Sequence, residues 1–341
     1  MCIAHKREQT GQTQTVQEHC EATAKLCRDF SIPPLKEVLY TIGLLHDVGK
    51  YQPSFQQKIK ENAQLKVEHS TCGALAAEKH DSLRALSKLM GYCIAGHHSG
   101  LPDAGSANDT PDLPTLSGRM GRTFEDYSVY EKELNLPQID QMAFLKFLVQ
   151  DCDEQMDKLV DKFAFLTRYC FSCLTDADSL DTRAFCGGQQ SHGLKTDFAR
   201  CLEQARQTLS SFVPKTELQK ARTLLQQQAF EKVGTDSEIY LMNMPTGSGK
   251  TLCSIRFALD RAILKGKKRI IYVIPYNSII DQTAESFEKM FGKEAQLLRH
   301  QSTFSYEDRE DYDEDYRLTA KIAAENWDAQ LIITTAVQFF E

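Results

Sequence analysis

The sequence lacks the long apolar runs of a membrane protein. No hydrophobic stretch approaches the ~20 residues that a membrane-spanning helix requires. The first residues, MCIAHKREQTGQTQ, also lack the apolar core of a secretory signal. Hydrophobic residues make up 41% and charged residues 26% of the 341 residues, which is ordinary for a soluble globular protein. We therefore expect a cytoplasmic protein that does not enter a membrane.

A disulfide framework is also missing. The chain has 11 cysteines, an odd number, and they follow no repeating interval, which is typical of reduced thiols. Only Cys170 and Cys173 form a C-x-x-C pair. Because no second pair or suitably spaced histidines accompany them, two buried thiols on a helix are favoured over a structural zinc site.

An excess of positive charge is absent as well. The net charge of −7 excludes a uniformly basic coat for nucleic acid, so any DNA contact must be local. One basic run follows a phosphate-binding motif and consists of Arg256, Arg261, Lys265, Lys267, Lys268 and Arg269. A solvated helix face and turn is the favoured interpretation of this run, with DNA contact as the alternative.

The chain is long enough for two domains. From Val16 to about Asp178 apolar residues recur at intervals of three and four, which predicts an all-α domain over 1–185. A loop rich in Gly, Pro, Asp and Ser, residues 100–121, follows a histidine pair and is expected to shape an entrance. Residues 186–214 are predicted to be a linker. Over 215–341, EIYLMN, KKRIIYVIPYN and AQLIITTAVQFFE place strands between helices, which predicts a partial α/β domain with a parallel sheet.

Histidines and aspartates recur within the predicted helical domain. His46 and Asp47 are adjacent in GLLHDVGK, and Asp176 and Asp178 follow later in CLTDADSLDT. The other histidines among apolar helical residues are His19, His69, His97 and His98. Neutral imidazoles with carboxylates are preferred ligands of divalent transition metals, so a metal site is favoured over a set of core histidines.

The order of these residues resembles the HD nuclease domain of the CRISPR-associated nuclease-helicases of type I interference. The phrases that carry the resemblance are AHKRE, HDVGK, EHSTCGA, HHSGLP and LTDADSLDT, and they span about residues 1–185. The resemblance implies a helical domain that holds two divalent transition metals, with Mn, Fe, Co, Ni and Zn not distinguished. The ligands that it implies are His19, His46, Asp47, His69, His97, His98 and Asp178.

Within that implied site, Asp47 is expected to bridge the metals, because an anion between two dications lowers their repulsion. Asp178 is favoured over Asp176 by the family pattern. Lys50, one turn after Asp47, is predicted to stabilise charge on a phosphate oxygen, although a surface lysine is nearly as compatible. His5 lies in a context that resembles the family, but a ligand role does not follow from it. Asp47 and Lys50 are the predicted catalytic residues.

The second domain carries a phosphate-binding loop. MPTGSGKT follows one predicted strand and precedes a predicted helix, as a P-loop requires, although Met244 stands where the pattern has glycine. The residues expected to bind ATP and Mg²⁺ are Thr246, Gly247, Ser248, Gly249, Lys250 and Thr251. Backbone amides would hold phosphate, Lys250 would neutralise its charge, and Thr251 would hold the magnesium ion.

The resemblance extends through VIPYNSIIDQT and ENWDAQLIITTAVQFFE to a superfamily 2 helicase domain. By analogy, backbone contacts to DNA are expected from Asn277, Ser278, Thr334 and Thr335, whereas Phe339 and Phe340 are expected in the core. A D-E-x-H box and a second RecA-like lobe are missing, and the acidic cluster EDREDYDEDY is interpreted as a solvated linker. We therefore expect a truncated motor without ATPase activity.

Together these features predict a metal-dependent nuclease for single-stranded DNA. The family resemblance adds a role in CRISPR antiviral defence and recruitment to an RNA-guided surveillance complex. Two alternatives remain: an HD phosphohydrolase of nucleotides or phosphomonoesters, and a catalytically idle DNA-binding or recruitment module from a truncated gene.

Overall fold

The chain divides into two compact units, Met1–Gln190 and Ser191–Glu341. The computed structural model describes residues 1–7, 10–61, 66–80, 83–84, 86–152, 155–186, 194–292, 295–301, 323–324 and 327–340. Within these ranges, no helix is both long and apolar enough to cross a membrane.

The first unit is built from helices that pack around one apolar core. They are α1 (Val16–Phe30), α2 (Lys36–Leu45), α3 (Pro53–Glu61), α4 (Ser70–Lys79), α5 (Ser87–Gly96), α6 (Leu116–Met120), α7 (Tyr130–Glu133), α8 (Gln141–Val149) and α9 (Met156–Cys186). Short 3₁₀ turns cover Pro33–Leu35 and Val48–Tyr51. The helical domain predicted from the apolar periodicity is confirmed.

A small hairpin precedes the helices and was not predicted. Strands β1 (Ile3–Lys6) and β2 (Thr13–Thr15) pair antiparallel, with His5 opposite Gln14. Gly11 takes a positive φ of 71° between the strands, a conformation that glycine adopts without strain. The only sequence signal is a short alternation of residue types around this glycine.

The hairpin leads directly into α1 through a capping box. The Thr15 side chain accepts a hydrogen bond from the Glu18 backbone N–H, and the Glu18 side chain accepts one from the Thr15 backbone N–H. These two bonds satisfy donors that a helix start otherwise leaves free. The helix therefore begins at Val16, which places His19 one turn later on its buried face.

Two glycines allow close approaches between the segments that carry the histidines. A Cβ at Gly49 would lie 2.1 Å from the carbonyl oxygen of His69, and one at Gly73 would lie 1.9 Å from the carbonyl oxygen of Leu45. Only glycine fits at these two positions. The turn after Asp47 can therefore lie against the backbone that leads into α4.

The second unit contains a parallel three-stranded sheet in the order β3 (Ile270–Ile274), β5 (Leu331–Thr335), β4 (Leu298–His300). The helices of this unit are α10 (Phe198–Ser211), α11 (Glu217–Glu231), α12 (Lys250–Leu264), α13 (Asn277–Phe291) and α14 (Ala336–Phe340). The central strand β5 is buried at all five residues. The strands predicted in KKRIIYVIPYN and AQLIITTAVQFFE, and their parallel pairing, are confirmed.

Two parts of the second unit differ from the sequence expectation. The segment 238–243 is not a strand, and none of the described strands pairs with it, so Ile239 and Leu241 are exposed. A strand needs a neighbour for its backbone hydrogen bonds. In addition, α10 lies within the predicted linker 186–214 but packs its Cys201 and Leu202 into the apolar core of this unit.

Candidate metal centre

The predicted metal-binding residues come from segments that are distant in sequence but meet at one point of the first unit. His46 and His97 are the C-cap residues that directly follow α2 and α5, and His69 is the residue directly before α4. His19 lies within α1 and Asp178 within α9. Because helix ends converge here, their side chains meet although the chain between them is long.

These side chains form two ligand groups that share one carboxylate. The first group is His19, His46, Asp47 and Asp178, and the second is Asp47, His69, His97 and His98. Within each group the possible ligand atoms all lie within 4.8 Å of one another. All seven residues predicted as ligands are thus brought together.

In the first group two carboxylates approach two imidazoles. His19 Nε2 lies 3.1 Å from Asp47 Oδ2 and 3.2 Å from Asp178 Oδ1. His46 Nε2 lies 3.3 Å and 3.7 Å from the same two oxygens. Asp178, not Asp176, belongs to the groups found among the described residues. Its selection as ligand remains a prediction that this placement favours.

In the second group two imidazoles face the other oxygen of the shared carboxylate, and the third lies beside one of them. Asp47 Oδ1 lies 3.4 Å from His69 Nε2 and 3.5 Å from His97 Nε2. His69 Nε2 lies 2.9 Å from His98 Nε2. Asp47 is fully buried, so both of its oxygens are directed at histidines rather than at water.

The opposite ring nitrogens are held by protein acceptors. Nδ1 of His46 donates to the Gly43 carbonyl at 2.8 Å, and Nδ1 of His97 donates to the Ile94 carbonyl at 2.7 Å. His19 Nδ1 lies 2.7 Å from Asp181 Oδ2. Bonds of this kind fix the tautomer and leave Nε2 as the atom that binds a metal. Asp181 was not predicted from the sequence, because nothing near it in the chain marks a partner for α1.

The residues present fit a pair of cations. Among the described residues, Asp47 Oδ1 and His97 Nε2 are buried without a hydrogen-bond partner. Nε2 atoms also face each other, at 3.2 Å between His19 and His46. Lone pairs at this distance repel unless a proton or a cation lies between them. Imidazole and carboxylate donors are those that divalent transition metals prefer.

The two groups differ in their affinity for protons. Burial opposes charge on His19, but hydrogen bonds to Asp178, Asp181 and Asp47 outweigh it and raise the pKa of His19 to about 9. The pKa of His46 is raised to about 10, because the same two carboxylates, Asp47 and Asp178, outweigh its burial. Metal binding to this group must therefore displace protons.

The second group carries only one carboxylate and is less basic. Burial, followed by the neighbouring His97, lowers the pKa of His98 to about 4. The pKa of His69 is also lowered, mainly by burial. These two imidazoles are neutral at pH 7 and can bind a metal without losing a proton.

Lys50 is part of the buried cluster. It is 5% exposed, and its Nζ lies 2.7 Å from Asp47 Oδ2 and 3.0 Å from His5 Nε2. The alternative of a surface lysine is wrong, because the 3₁₀ turn Val48–Tyr51 directs this side chain inward. Burial and the Lys50 ammonium lower the pKa of His5 to about 4, so His5 is neutral and its Nε2 accepts from Lys50.

The cysteine pair belongs to the apolar core of the first unit. Cys170 and Cys173 are buried thiols on α9, and neither belongs to a ligand group of three or more among the described residues. The interpretation as core thiols is the one that the structure favours.

The predicted phosphate loop lies before α12. Gly247 and Gly249 take positive φ angles of 77° and 85°, which directs the loop toward the start of the helix at Lys250. The Ser248 carbonyl accepts a hydrogen bond of 3.0 Å from Gln226 of α11. Lys250 is exposed. Thr246 and Thr251 flank these residues. The Ser248 N–H donates to the Pro245 carbonyl at 3.3 Å, and the loop leads directly into the N-terminus of α12, where the first amides have no partner within the helix.

Two of the expectations drawn by analogy with helicases do not hold. Thr334 is fully buried and its hydroxyl donates to the His300 carbonyl at 2.9 Å, so it is not available to DNA. Phe340 is 83% exposed and Phe339 is 41% exposed, so neither is a core residue. Ser278 is exposed and Asn277 is half-buried at the start of α13.

The basic run divides into two parts. Arg256 stacks on Phe230 at 3.6 Å, and Arg261 donates to the carbonyls of Val233, Thr235 and Ser237. Lys265 pairs with Asp236 at 3.1 Å. These three cations hold the end of α11 and the segment after it against α12. The others, Lys267, Lys268 and Arg269, are exposed and line a cavity of about 570 Å³ together with Lys195. The acidic cluster EDREDYDEDY lies outside the described residues.

Comparison with known proteins finds one family model that matches part of each unit. The HD domain family matches residues 16–139, and the family described as type III restriction enzyme, res subunit, matches residues 201–340. In an alignment of 372 positions, the chain is 25% identical to the CRISPR-associated nuclease/helicase Cas3 of Haloferax volcanii. The alignment covers 90% of this chain and 39% of the relative. Over 72 residues it is 36% identical to the DExH-box ATP-dependent RNA helicase DExH13 of Arabidopsis thaliana, covering 20% of this chain and 3% of the relative.

Solved structures agree on the fold. The crystal structure of T. fusca Cas3 matches with a TM-score of 0.50 and 15% identity, over 98% of this chain and 43% of that one. Its ADP complex gives the same TM-score with 16% identity. The chain spans about two fifths of the length of these Cas3 proteins. These comparisons support a Cas3-like HD nuclease-helicase fragment, in which an HD domain is matched in the first unit and a helicase-like region in the second.

Proposed function

We propose that the first unit hydrolyses phosphodiester bonds of single-stranded DNA with two divalent metals. The placement of Asp47 carries this proposal. Its Oδ2 faces His19 and His46, and its Oδ1 faces His69 and His97. A buried carboxylate between two groups of imidazoles would lower the electrostatic repulsion between two cations held by those groups.

The proposed ligands are those of the two groups: His19, His46, Asp47, His69, His97, His98 and Asp178. When bound, two divalent ions lower the pKa of a water molecule and stabilise both the attacking and the leaving oxygen of an in-line displacement. The imidazoles supply neutral Nε2 donors, whose direction is set by the acceptors at Nδ1. Asp47 and Asp178 supply the negative charge that keeps the ions in the buried site.

Lys50 is the proposed electrostatic catalyst. Its ammonium lies against Asp47 Oδ2 at 2.7 Å, beside the reacting centre. A fixed positive charge in a site of low dielectric stabilises the charge that develops on a phosphate during the displacement. Loss of a single group of this kind costs about 10²–10³ in kcat in other enzymes.

The choice of DNA as substrate rests on the second unit and on the named relatives. A helicase-like region is joined to the HD domain, and the H. volcanii relative is named a CRISPR-associated nuclease/helicase. We infer that single-stranded DNA reaches the HD domain during antiviral defence, and that an RNA-guided surveillance complex recruits the protein. We also propose ATP and Mg²⁺ as ligands of Thr246–Thr251, because the amides at the start of α12 and the Lys250 ammonium favour phosphate.

The test is cleavage by the purified chain of circular single-stranded DNA, duplex DNA and mononucleotides, each with Mn²⁺, Co²⁺, Ni²⁺ or Zn²⁺. Asp47→Asn should abolish cleavage of the single strand. It is preferred to Asp47→Ala because it keeps the shape next to Lys50, whose charge would otherwise be buried beside an empty space. Asp29→Asn is the matched control, since Asp29 is exposed at the far end of α1.

Three results of this assay would contradict the proposed function, each in a different way. Release of phosphate from mononucleotides with intact circular DNA would favour a nucleotide phosphohydrolase. Metal binding without hydrolysis of any substrate would favour an idle DNA-binding module. Cleavage by Asp47→Asn at the rate of the parent would refute the metal-dependent mechanism.

A further inference from the structure

The β1–β2 hairpin and the metal-binding residues are joined by a closed ring of polar contacts, which consists of five hydrogen bonds and the approach of His19 Nε2 to Asp47 Oδ2. Lys50 Nζ lies 2.7 Å from Asp47 Oδ2 and 3.0 Å from His5 Nε2. His5 Nδ1 lies 2.9 Å from Gln14 Oε1. Gln14 Nε2 lies 2.8 Å from Asp181 Oδ2. The ring then closes through His19, which lies 2.7 Å from Asp181 Oδ2 and 3.1 Å from Asp47 Oδ2.

Chemistry fixes the direction of the bonds in this ring. A lysine ammonium only donates, so His5 Nε2 must accept and His5 Nδ1 must carry the proton. That proton is donated to Gln14 Oε1, which leaves the Gln14 amide NH₂ to donate to Asp181. Asp181 accepts a second bond from His19 Nδ1. Because Nδ1 of His19 keeps its proton, Nε2 is the nitrogen that is free to bind a metal.

The ring is protected from water and fixed to the rest of the unit. Gln14 is 9% exposed, Lys50 is 5% exposed, and the Asp181 side chain is 12% exposed. His5 and Gln14 are opposite each other in the hairpin register. Next to them, Arg7 donates to the Phe185 carbonyl at the end of α9, the helix that carries Asp181. The hairpin is thus attached to two sides of the metal centre.

We propose that the β1–β2 hairpin is a positioning element with two separate effects: His5 orients Lys50, and Gln14 with Asp181 orients His19. This inference rests on the proposed nuclease function. His5 is not a ligand in it; its ring holds the Lys50 ammonium in place beside Asp47. Asp181 acts on the far side of the His19 ring from the metals, where such groups set the direction and basicity of a ligand imidazole.

The His5 effect is tested by a double-mutant cycle in the full chain. His5→Phe keeps the ring shape and removes both hydrogen bonds, and it should lower kcat on single-stranded DNA roughly 10-fold or more, with little change in KM or in metal affinity. His5→Gln places an amide oxygen near the former Nε2 and should restore most of kcat. In a Lys50→Ala background, His5→Phe should cost no further activity, because two groups that act through one another are not additive.

The Asp181 effect is tested by metal binding, which needs no turnover. Asp181→Leu should weaken Mn²⁺ binding at one of two positions roughly 10–100-fold, as followed by calorimetry or electron paramagnetic resonance, and leave the other unchanged. Asp181→Asn should fall between this variant and the parent. Thr13→Val is the control, because Thr13 is exposed on β2 next to Gln14 and faces away from the ring.

The outcomes separate this inference from the nuclease proposal. If Asp47→Asn cleaves like the parent, the proposed function fails whatever the hairpin does. Suppose that Asp47→Asn is inactive. The positioning role of His5 is then wrong if His5→Phe retains the parental kcat, or if the fall in kcat caused by His5→Phe adds fully to the fall caused by Lys50→Ala. Unchanged Mn²⁺ affinity in Asp181→Leu overturns the second effect. If His5→Phe fails to fold, Gln14→Met is the second test, because it removes the hydrogen bonds of Gln14 to both His5 and Asp181. This variant must lower both kcat and Mn²⁺ affinity.

Discussion

Protons and metal ions should compete strongly at one half of the centre and weakly at the other. The pKa values of His19 and His46 are raised to about 9 and about 10, whereas the pKa of His69 is lowered and that of His98 is about 4. At pH 7 the first group holds protons on the nitrogens that must bind metal. The second group does not.

The size of the effect follows from the number of protons displaced. Each displaced proton makes the apparent metal affinity rise about tenfold per pH unit, for as long as the pH is below the pKa. From pH 6 to pH 8 the affinity at the His19 and His46 position should therefore rise about 100-fold for one proton and about 10⁴-fold for two. Over the same range the affinity at the His69 and His98 position should be nearly constant.

Calorimetric titration with Mn²⁺ measures both quantities. In buffers of different ionisation enthalpy, the heat of binding gives the protons released by each position. We expect one to two protons for the position that forms second at pH 7, and about none for the first. Nuclease activity should accordingly fall toward pH 5 and be partly restored by excess metal. Two positions with equal affinities and no proton release at pH 7 would refute the assignment of the two groups.

The same pKa shifts act in the opposite direction on the metal-free fold. A histidine with a raised folded-state pKa stabilises the fold fully below its unfolded pKa of about 6.5 and loses that contribution as the pH rises through the folded value. For His19 and His46 this window extends from about 6.5 to about 10. The melting temperature of the metal-free chain should fall across it. With saturating metal this fall should disappear, because the metal takes the place of the protons.

Three further predictions concern other parts of the chain. Lys250→Ala should weaken binding of a fluorescent ATP analogue and leave cleavage of single-stranded DNA unchanged; a matching loss of cleavage would show that the two activities are coupled. Changing both Lys267 and Lys268 to Gln should reduce the salt dependence of single-stranded DNA binding. The magnitude of the slope of log binding constant against log salt concentration should fall by about 1.4, since each phosphate that a lysine neutralises contributes about 0.7. An unchanged slope would place the DNA elsewhere. Arg119 is buried and donates to Thr71, Ser70 and Glu68, so Arg119→Ala should lower the free energy of unfolding by about 1–3 kcal/mol in urea titration. Arg122→Ala, at a more exposed position, should cost clearly less.

The residue types of the candidate site, and the helices that carry them, could be predicted from local sequence. His46–Asp47 and His97–His98 mark the ends of apolar helices, where two polar groups in succession need a partner. The glycines of MPTGSGKT and the β-branched run of β3 each act within a few residues of chain. Such signals do not depend on what the rest of the protein contributes.

Tertiary structure decided every feature that needs a partner from elsewhere in the chain. Asp181 meets His19 over 162 positions, and Lys50 meets His5 over 45, so no spacing in the sequence reveals either pair. The segment 238–243 has the composition of a strand but lacks a neighbour among the described strands, so its backbone stays unpaired. The burial of Lys50 has the same origin. Lys50 lies inside the metal centre because the turn at Gly49 packs against the backbone of His69. The surroundings of a side chain are set by the segments packed around it, which local sequence does not encode.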